Sequence, residues 1–355
     1  MLYIKRIIQA GAGTGKTTLL INEAQQLMLE GKVLYLTFTR NNLRSMKEDI
    51  VKKEGIVPQK IECRTWIEFL LNELAKPYRK MLGMPPIEGL DNTRESEIPK
   101  IKGVNSKTKR YYINKQNNLY SERLAQFVVN ANYITKGCIS NRIQKMYSTV
   151  LIDEIQDLNG HDLEVLRLLY YLDCNIILVG DHRQSTYSTN TSRMHTQYKN
   201  EKIFNFFITE MGISNIESLN ICYRCNQEIC DFVNPLFNDL NLIADIQRKR
   251  HDTEGIYLID NQESLLDYVE ENSPTLLYYD RRSLPRAKKL GLPNHIEHMT
   301  FGNSKGLTRN HVLIFPTKNI KNHAIGRESN IKGQTLAKYY VALTRAKHSV
   351  AIYIG

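Results

Sequence analysis

A lysine and two hydroxyls set just behind closely spaced glycines are the residues of this chain best suited to chemistry on a phosphate chain. Ala10–Thr18 reads Ala-Gly-Ala-Gly-Thr-Gly-Lys-Thr-Thr. The small residues Ala12, Gly13, Thr14 and Gly15 let backbone N–H groups converge on a polyphosphate, and a helix starting there adds its positive end. Lys16 has the reach for the β and γ phosphates, and the hydroxyl of Thr17, with Thr18 beside it, can ligate Mg2+. The strict pattern for such a loop asks for glycine where this chain has Ala10. A second reactive group is the acid pair Asp153-Glu154. Asp153 can enter the shell of a magnesium ion, while Glu154 can orient or deprotonate an attacking water. ATP with Mg2+ is the ligand these residues predict.

Elements must hold these groups in place. The apolar run Ile4–Ile8 precedes the loop and a helix-like stretch, Thr17–Glu30, follows it, which gives strand, loop and helix. Lys32–Phe38 reads as a buried parallel strand leading into a helix through Ile50. Ile61–Cys63 is another short strand, followed by Thr65-Trp66 and an amphipathic helix to about Ala75. Thr149–Ile152 and Asn175–Val179 are buried strands ending in Asp153-Glu154 and Gly180-Asp181. Open parallel sheets gather ligands at the carboxyl ends of their strands, where all these groups fall. From about Ile216 a second rhythm predicts strands at Ser218–Ile221, Ile256–Ile259, Thr275–Tyr279, Ile296–Thr300, Val312–Phe315 and Val350–Ile354. Helices are predicted at Asn226–Phe237, Ser264–Glu270 and Gln334–Ala346. This is a second α/β domain without a glycine-rich loop of its own.

The composition narrows the partners. Lys and Arg number 48 against 37 Asp and Glu, a formal charge of +11 that points to a polyanion, nucleic acid first. Pro77 to about Lys115 changes character; between Pro99 and Gln116 lie six Lys/Arg and no acid, with Tyr111 and Tyr112 interleaved. The stretch reads either as an insertion that follows a nucleic-acid backbone or as a solvated loop. Six cysteines in 355 residues do not make a disulfide scaffold, and Cys222, Cys225 and Cys230 lack the second pair of a metal site. No apolar run spans a bilayer and the start carries no secretory signal, so a cytoplasmic protein without a membrane partner is expected.

Taken in order, the motifs resemble the UvrD/Rep/PcrA family of superfamily 1 helicases. Ala10–Thr18 resembles motif I, Thr37-Phe38-Thr39 motif Ia, and Arg64-Thr65-Trp66 motif Ib with Trp66 in the aromatic place. Asp153-Glu154-Ile155-Gln156-Asp157 resembles motif II, and Gly180 to Tyr187 motif III. Cys222-Tyr223-Arg224 is similar to motif IV, Thr300–Leu307 to motif V, and Tyr340–Ala346 to motif VI. The resemblance implies that Gln184 senses the γ-phosphate, Tyr223 stacks on the base, and Arg224 and Arg345 act as arginine fingers. It also implies nucleic-acid contacts from Phe38, Thr39, Thr65, Trp66, Tyr187, Thr300, Ser304 and Lys305.

The implied fold is α/β, two RecA-like parallel-sheet domains. Domain 1A would cover 1–76 and 143–213, a reduced, basic 1B-like insertion 77–142, and domain 2A 214–355 without its 2B insertion, since Thr300 follows Leu290 by only ten positions. Gln9, inside the first strand, is a poor substitute for the family's adenine-reading glutamine. Tyr187-Ser188-Thr189-Asn190-Thr191 replaces the family's Tyr-x-Trp-Arg-Gly-Ala. The implied activity is ATP-dependent 3′→5′ translocation or unwinding on single-stranded DNA or DNA with a single-stranded tail, with hydrolysis at the cleft between the two domains. Two alternatives stand beside it: an ATP-gated DNA-binding switch that controls a partner such as a nuclease in repair or phage defence, and action on RNA.

Overall fold

The computed structural model of the protein describes residues 3–186, 192, 194–199, 202–237 and 239–355. Their contacts fall into two units. The described residues of Met1–Ile8, Lys16–Gly180 and Ser188–Glu217 form the first, and those of Gln9–Gly15, Asp181–Tyr187 and Ser218–Gly355 the second. Each is an α/β assembly.

The first sheet uses β1 (Lys5–Ala10), β2 (Val33–Thr37), β3 (Ile61–Thr65), β4 (Thr149–Ile152), β5 (Asn175–Gly180) and β6 (Glu217–Leu219), in the order β3-β2-β4-β5-β1-β6. Strands β2, β4 and β5 are buried throughout, as continuous apolar runs in a parallel sheet should be. Pairing is parallel from β3 across to β5, with Leu36 opposite Ile152 and Ile152 opposite Leu178. That register brings the carboxyl ends to one edge, where the Asp153 N–H donates to the Leu36 carbonyl at 2.9 Å. Helix α1 (Lys16–Leu27) begins at the lysine of the glycine-rich loop. Helix α2 (Arg40–Glu54) is capped by the Thr39 hydroxyl, which accepts from Asn42 N–H at 3.1 Å. It ends at Gly55, whose φ of 76° favours glycine.

Residues 77–142 pack within the first unit. The interleaved tyrosines belong to that packing rather than to an open basic face. Arg123 lies 3.8 Å from the Tyr111 ring centroid and pairs with Glu95 at 2.6 Å, and Tyr112 is buried. Lys100, Lys102, Lys107, Lys109, Arg110 and Lys115 remain exposed.

In the second unit β7 (Gly255–Ile259), β8 (Thr275–Tyr278), β9 (His298–Thr300), β10 (Arg309–Phe315) and β11 (Ala346–Tyr353) form a parallel sheet ordered β7-β11-β10-β8-β9. Alternation gives it two apolar faces. Val312, Ile314, Val350 and Ile352 pack into one cluster, and Leu313 and Ala351 into another. Helix α3 (Gly333–Leu343) stops short of the predicted end at Ala346, and β11 starts earlier than Val350. The cause is a long-range pairing: Arg309 N–H donates to the Arg345 carbonyl at 2.9 Å and draws Ala346 into the sheet. Among the described residues no helix is long and apolar enough to cross a membrane.

Candidate nucleotide site and nucleic-acid residues

The first unit brings together the lysine, the hydroxyl and the acids. Lys16 and Thr17 open α1, and Asp153 and Glu154 follow β4. The Thr17 hydroxyl donates to Asp153 Oδ2 at 3.3 Å. Burial, and then the charge of Glu154, pushes the Asp153 carboxyl up to about 7, against the pull of Lys16 and of hydrogen bonds from the Glu154 N–H and Thr17. Glu154 sits at φ 58° and ψ 41°, a left-handed conformation that a non-glycine residue keeps only where its surroundings impose it. Its N–H donates to Asp153 Oδ1 at 2.9 Å, and the Gln156 amide donates to its carboxylate. Gly180 is required by close approach, since a Cβ there would lie 2.6 Å from Ile155 Cγ1. A hydroxyl beside a carboxylate suits Mg2+, which takes few protein ligands and fills its shell with phosphate and water. Thr18 is exposed on α1.

The glycine-rich loop up to Gly15 packs in the second unit. Gly13 and Gly15 have φ of 73° and 78°. A Cβ on Gly13 would lie 2.7 Å from Cys222 Sγ and 2.8 Å from Arg224 Cβ; one on Gly15 would touch the Tyr223 ring at 3.8 Å. The Tyr223 N–H donates to the Gly13 carbonyl at 2.9 Å, and its exposed ring lies against the loop. Thr14 is buried, its hydroxyl donating to the Gly11 carbonyl at 2.9 Å. Ala12 departs from expectation: its N–H donates to the Tyr340 hydroxyl at 3.2 Å instead of standing open.

Gln184 and Arg345 meet directly, with Arg345 NH2 donating to Gln184 Oε1 at 3.2 Å. Arg345 is 1% exposed and also donates to the carbonyls of Val341 at 2.8 Å and Leu307 at 3.3 Å. Arg224 donates to the Thr344 carbonyl at 3.0 Å. The sequence reasoning missed Arg183, which is buried and stacked on Tyr340 at 5.0 Å. Its signal was Asp181 two positions earlier, the counter-ion a buried arginine needs. Gln156, which orients Glu154, has no signal of that role in the sequence beyond its place in the Asp153–Asp157 motif. Nothing local marked Tyr340.

The proposed strand contacts divide. Phe38 is half-exposed at the end of β2, and Thr39 caps α2. Trp66 is a correction. It is 2% exposed, and its Nε1–H donates to Asp162 Oδ1 at 2.7 Å, so the indole belongs to the core and offers no face to a base. Thr65 is buried, and its hydroxyl accepts the Glu68 N–H at 3.3 Å in a capping box. Ser304 is likewise buried and donates to the Phe301 carbonyl at 2.7 Å, a turn contact that removes it from any surface. Thr300 and Lys305 are half-buried, and Tyr187 lies outside the described residues. Cys222, Cys225 and Cys230 are buried. Among the described residues no group of three or more His, Cys, Asp or Glu side chains is placed to hold a metal ion.

Comparison with known proteins adds two family matches. One described as an AAA domain covers residues 5–190, and one described as the viral superfamily 1 RNA helicase core domain covers 104–354. The chain is 31% identical over 103 residues to the ATP-dependent DNA helicase Rep of Buchnera aphidicola subsp. Schizaphis graminum, covering 28% of this chain and 14% of Rep. It is 32% identical over 97 residues to the RecBCD enzyme subunit RecB of the same organism, covering 27% and 8%. A probable DNA helicase II homolog of Mycoplasma genitalium is 22% identical over 348 residues, covering 80% of this chain and 48% of that protein. The chain thus spans less than half the length of these curated relatives. Arterivirus nonstructural protein 10, a helicase solved with DNA, aligns with a TM-score of 0.49 at 12% identity, covering 98% of this chain and 60% of that one.

Proposed function

The chain belongs to the superfamily 1 helicases of the UvrD/Rep type, and on that premise we propose that it is an ATP-dependent translocase or helicase acting 3′→5′ on single-stranded DNA. The observation that carries the proposal is the Lys16, Thr17, Asp153 and Glu154 group at the carboxyl edge of the first sheet. Thr17 and Asp153 would hold Mg2+, which when bound neutralises phosphate charge. Lys16 holds the outer phosphates. Glu154, fixed by its backbone conformation and by Gln156, accepts the proton of the water that attacks the terminal phosphorus, giving ADP and phosphate. The family resemblance assigns the sensing of the terminal phosphate and the stabilisation of its charge to Gln184, Arg224 and Arg345.

DNA is preferred over RNA because the relatives named Rep and helicase II are DNA helicases, although one family match is named for RNA. The test is steady-state ATP hydrolysis by the purified protein with and without single-stranded DNA or RNA. Turnover is expected to rise with DNA. Glu154→Gln should cut it by about 10²- to 10⁴-fold while nucleotide still binds. Lys16→Ala should lose nucleotide binding itself. Normal hydrolysis by either variant would refute the assignment. Displacement of streptavidin from one DNA end or the other reads the direction.

A further inference from the structure

Arg183 is the unexplained cation of the second unit. It is 1% exposed. Its Nε donates to Asp181 Oδ1 at 3.0 Å and its NH1 to the Leu240 carbonyl at 3.1 Å. Asp181 is shared, because its Oδ2 also accepts the Gln184 amide at 2.8 Å. The remaining guanidinium nitrogen, NH2, is buried and has no hydrogen-bond partner among the described residues. It points at the glycine-rich loop: a Cβ built on Gly11 would lie 2.8 Å from it. The same Cβ would come within 2.2 Å of Leu242 Cδ2, so a larger residue there would displace both side chains. A buried guanidinium donor without an acceptor is costly, and buried polar groups are normally satisfied. An acceptor carried by a ligand of the loop would satisfy it.

Phosphate oxygen fits best. An arginine fork recognises it in preference to neutral acceptors. Amides near the start of a helix take the inner phosphates in such loops, and the lysine reaches outward to the last. Gly11 lies at the opposite end of the loop from Lys16, so Arg183 sets a second cation at the end that the lysine does not occupy. Gln184, the next residue along, is tied to Arg345, so Arg183 is also continuous with the pair expected to meet that group. We propose that Arg183 is a direct ligand of the terminal phosphate of a bound nucleoside triphosphate and makes the loop discriminate triphosphate from diphosphate. The inference rests on the nucleotide-binding assignment above.

Equilibrium binding of ADP and of a non-hydrolysable ATP analogue, with Mg2+, tests it on the whole chain. The expected result is that Arg183→Gln weakens the analogue by about 10- to 100-fold, the range of a charge-assisted hydrogen bond, and leaves ADP within about twofold. Arg183→Lys, which keeps the charge without the fork, should recover part of the loss and serves as the reading if Arg183→Gln melts early. Equal loss of both ligands, or loss of neither, overturns the inference while leaving the nucleotide site intact. A wild-type protein that binds neither ligand overturns the nucleotide assignment itself.

Discussion

Glu154 and Trp66 show opposite fates for residues singled out from the sequence. Glu154 sits in the left-handed region, supported by Asp153 and Gln156, as a side chain does when placement outranks comfort. Trp66 does the reverse: its aromatic ring fills the core and its one polar atom is matched to Asp162 across 96 residues of chain. Spacing within a motif could not reveal that partner. Trp66→Phe keeps most of the apolar volume and removes the donor from a buried carboxylate. It should cost about 1–3 kcal/mol of stability in denaturant titration and leave single-strand affinity unchanged. A variant that folds as stably as wild type but binds DNA weakly would return Trp66 to the strand-contact role.

At the level of elements, legibility followed the range of the interactions that set each boundary. Strands β2, β4 and β5 were readable because both faces are covered, so every position is apolar. The α3–β11 junction was not, because Arg309 decides it from another strand. The site followed the same rule. Lys16, Thr17, Asp153 and Glu154 sit at element ends that local pattern reveals, whereas Tyr340 acquires meaning only by packing on Arg183, whose one local signal is Asp181.

Strands β10 and β11 carry a device with a pH signature. His311, His348 and His251 form one cluster, with His251 stacked on His348 at 4.3 Å and 5.4 Å from His311. Arg248 adds positive charge against His348, and Glu254 opposes it. Burial, then the neighbouring histidines, lowers His311 to about 4, and burial also lowers His348. A histidine held below its unfolded value near 6.5 stabilises the fold fully above that pH. As pH falls from about 6.5 towards 4, the unfolded chain takes up the proton first and stability drops. His311→Gln should make the fall in melting temperature across that window shallower by roughly 2–4 °C. An unchanged slope would place the acid sensitivity elsewhere.

For the whole molecule the governing quantity is the +11 charge, because a polyanion bound by it must displace counter-ions. Lys100, Lys102, Lys107, Lys109 and Arg110 supply an exposed run with no acid among them, while the tyrosines beside them are engaged in packing. Any grip from this segment is therefore electrostatic rather than by stacking, and stacking and charge separate cleanly in a salt titration. Stacking survives salt, whereas each phosphate contact contributes about 0.7 to the slope of log affinity against log salt on a single strand. Replacing the five cations with glutamine should flatten that slope by up to about 3.5 and weaken binding at low salt most, with similar losses across DNA sequences. ATP hydrolysis without nucleic acid should stay at the wild-type rate, since Lys16, Thr17, Asp153 and Glu154 lie on other elements. A slope that does not move would make the run a solvated surface. The half-exposed Phe38 and the cations of α2, Arg40 and Arg44, would then be left as the strand contacts of the first unit.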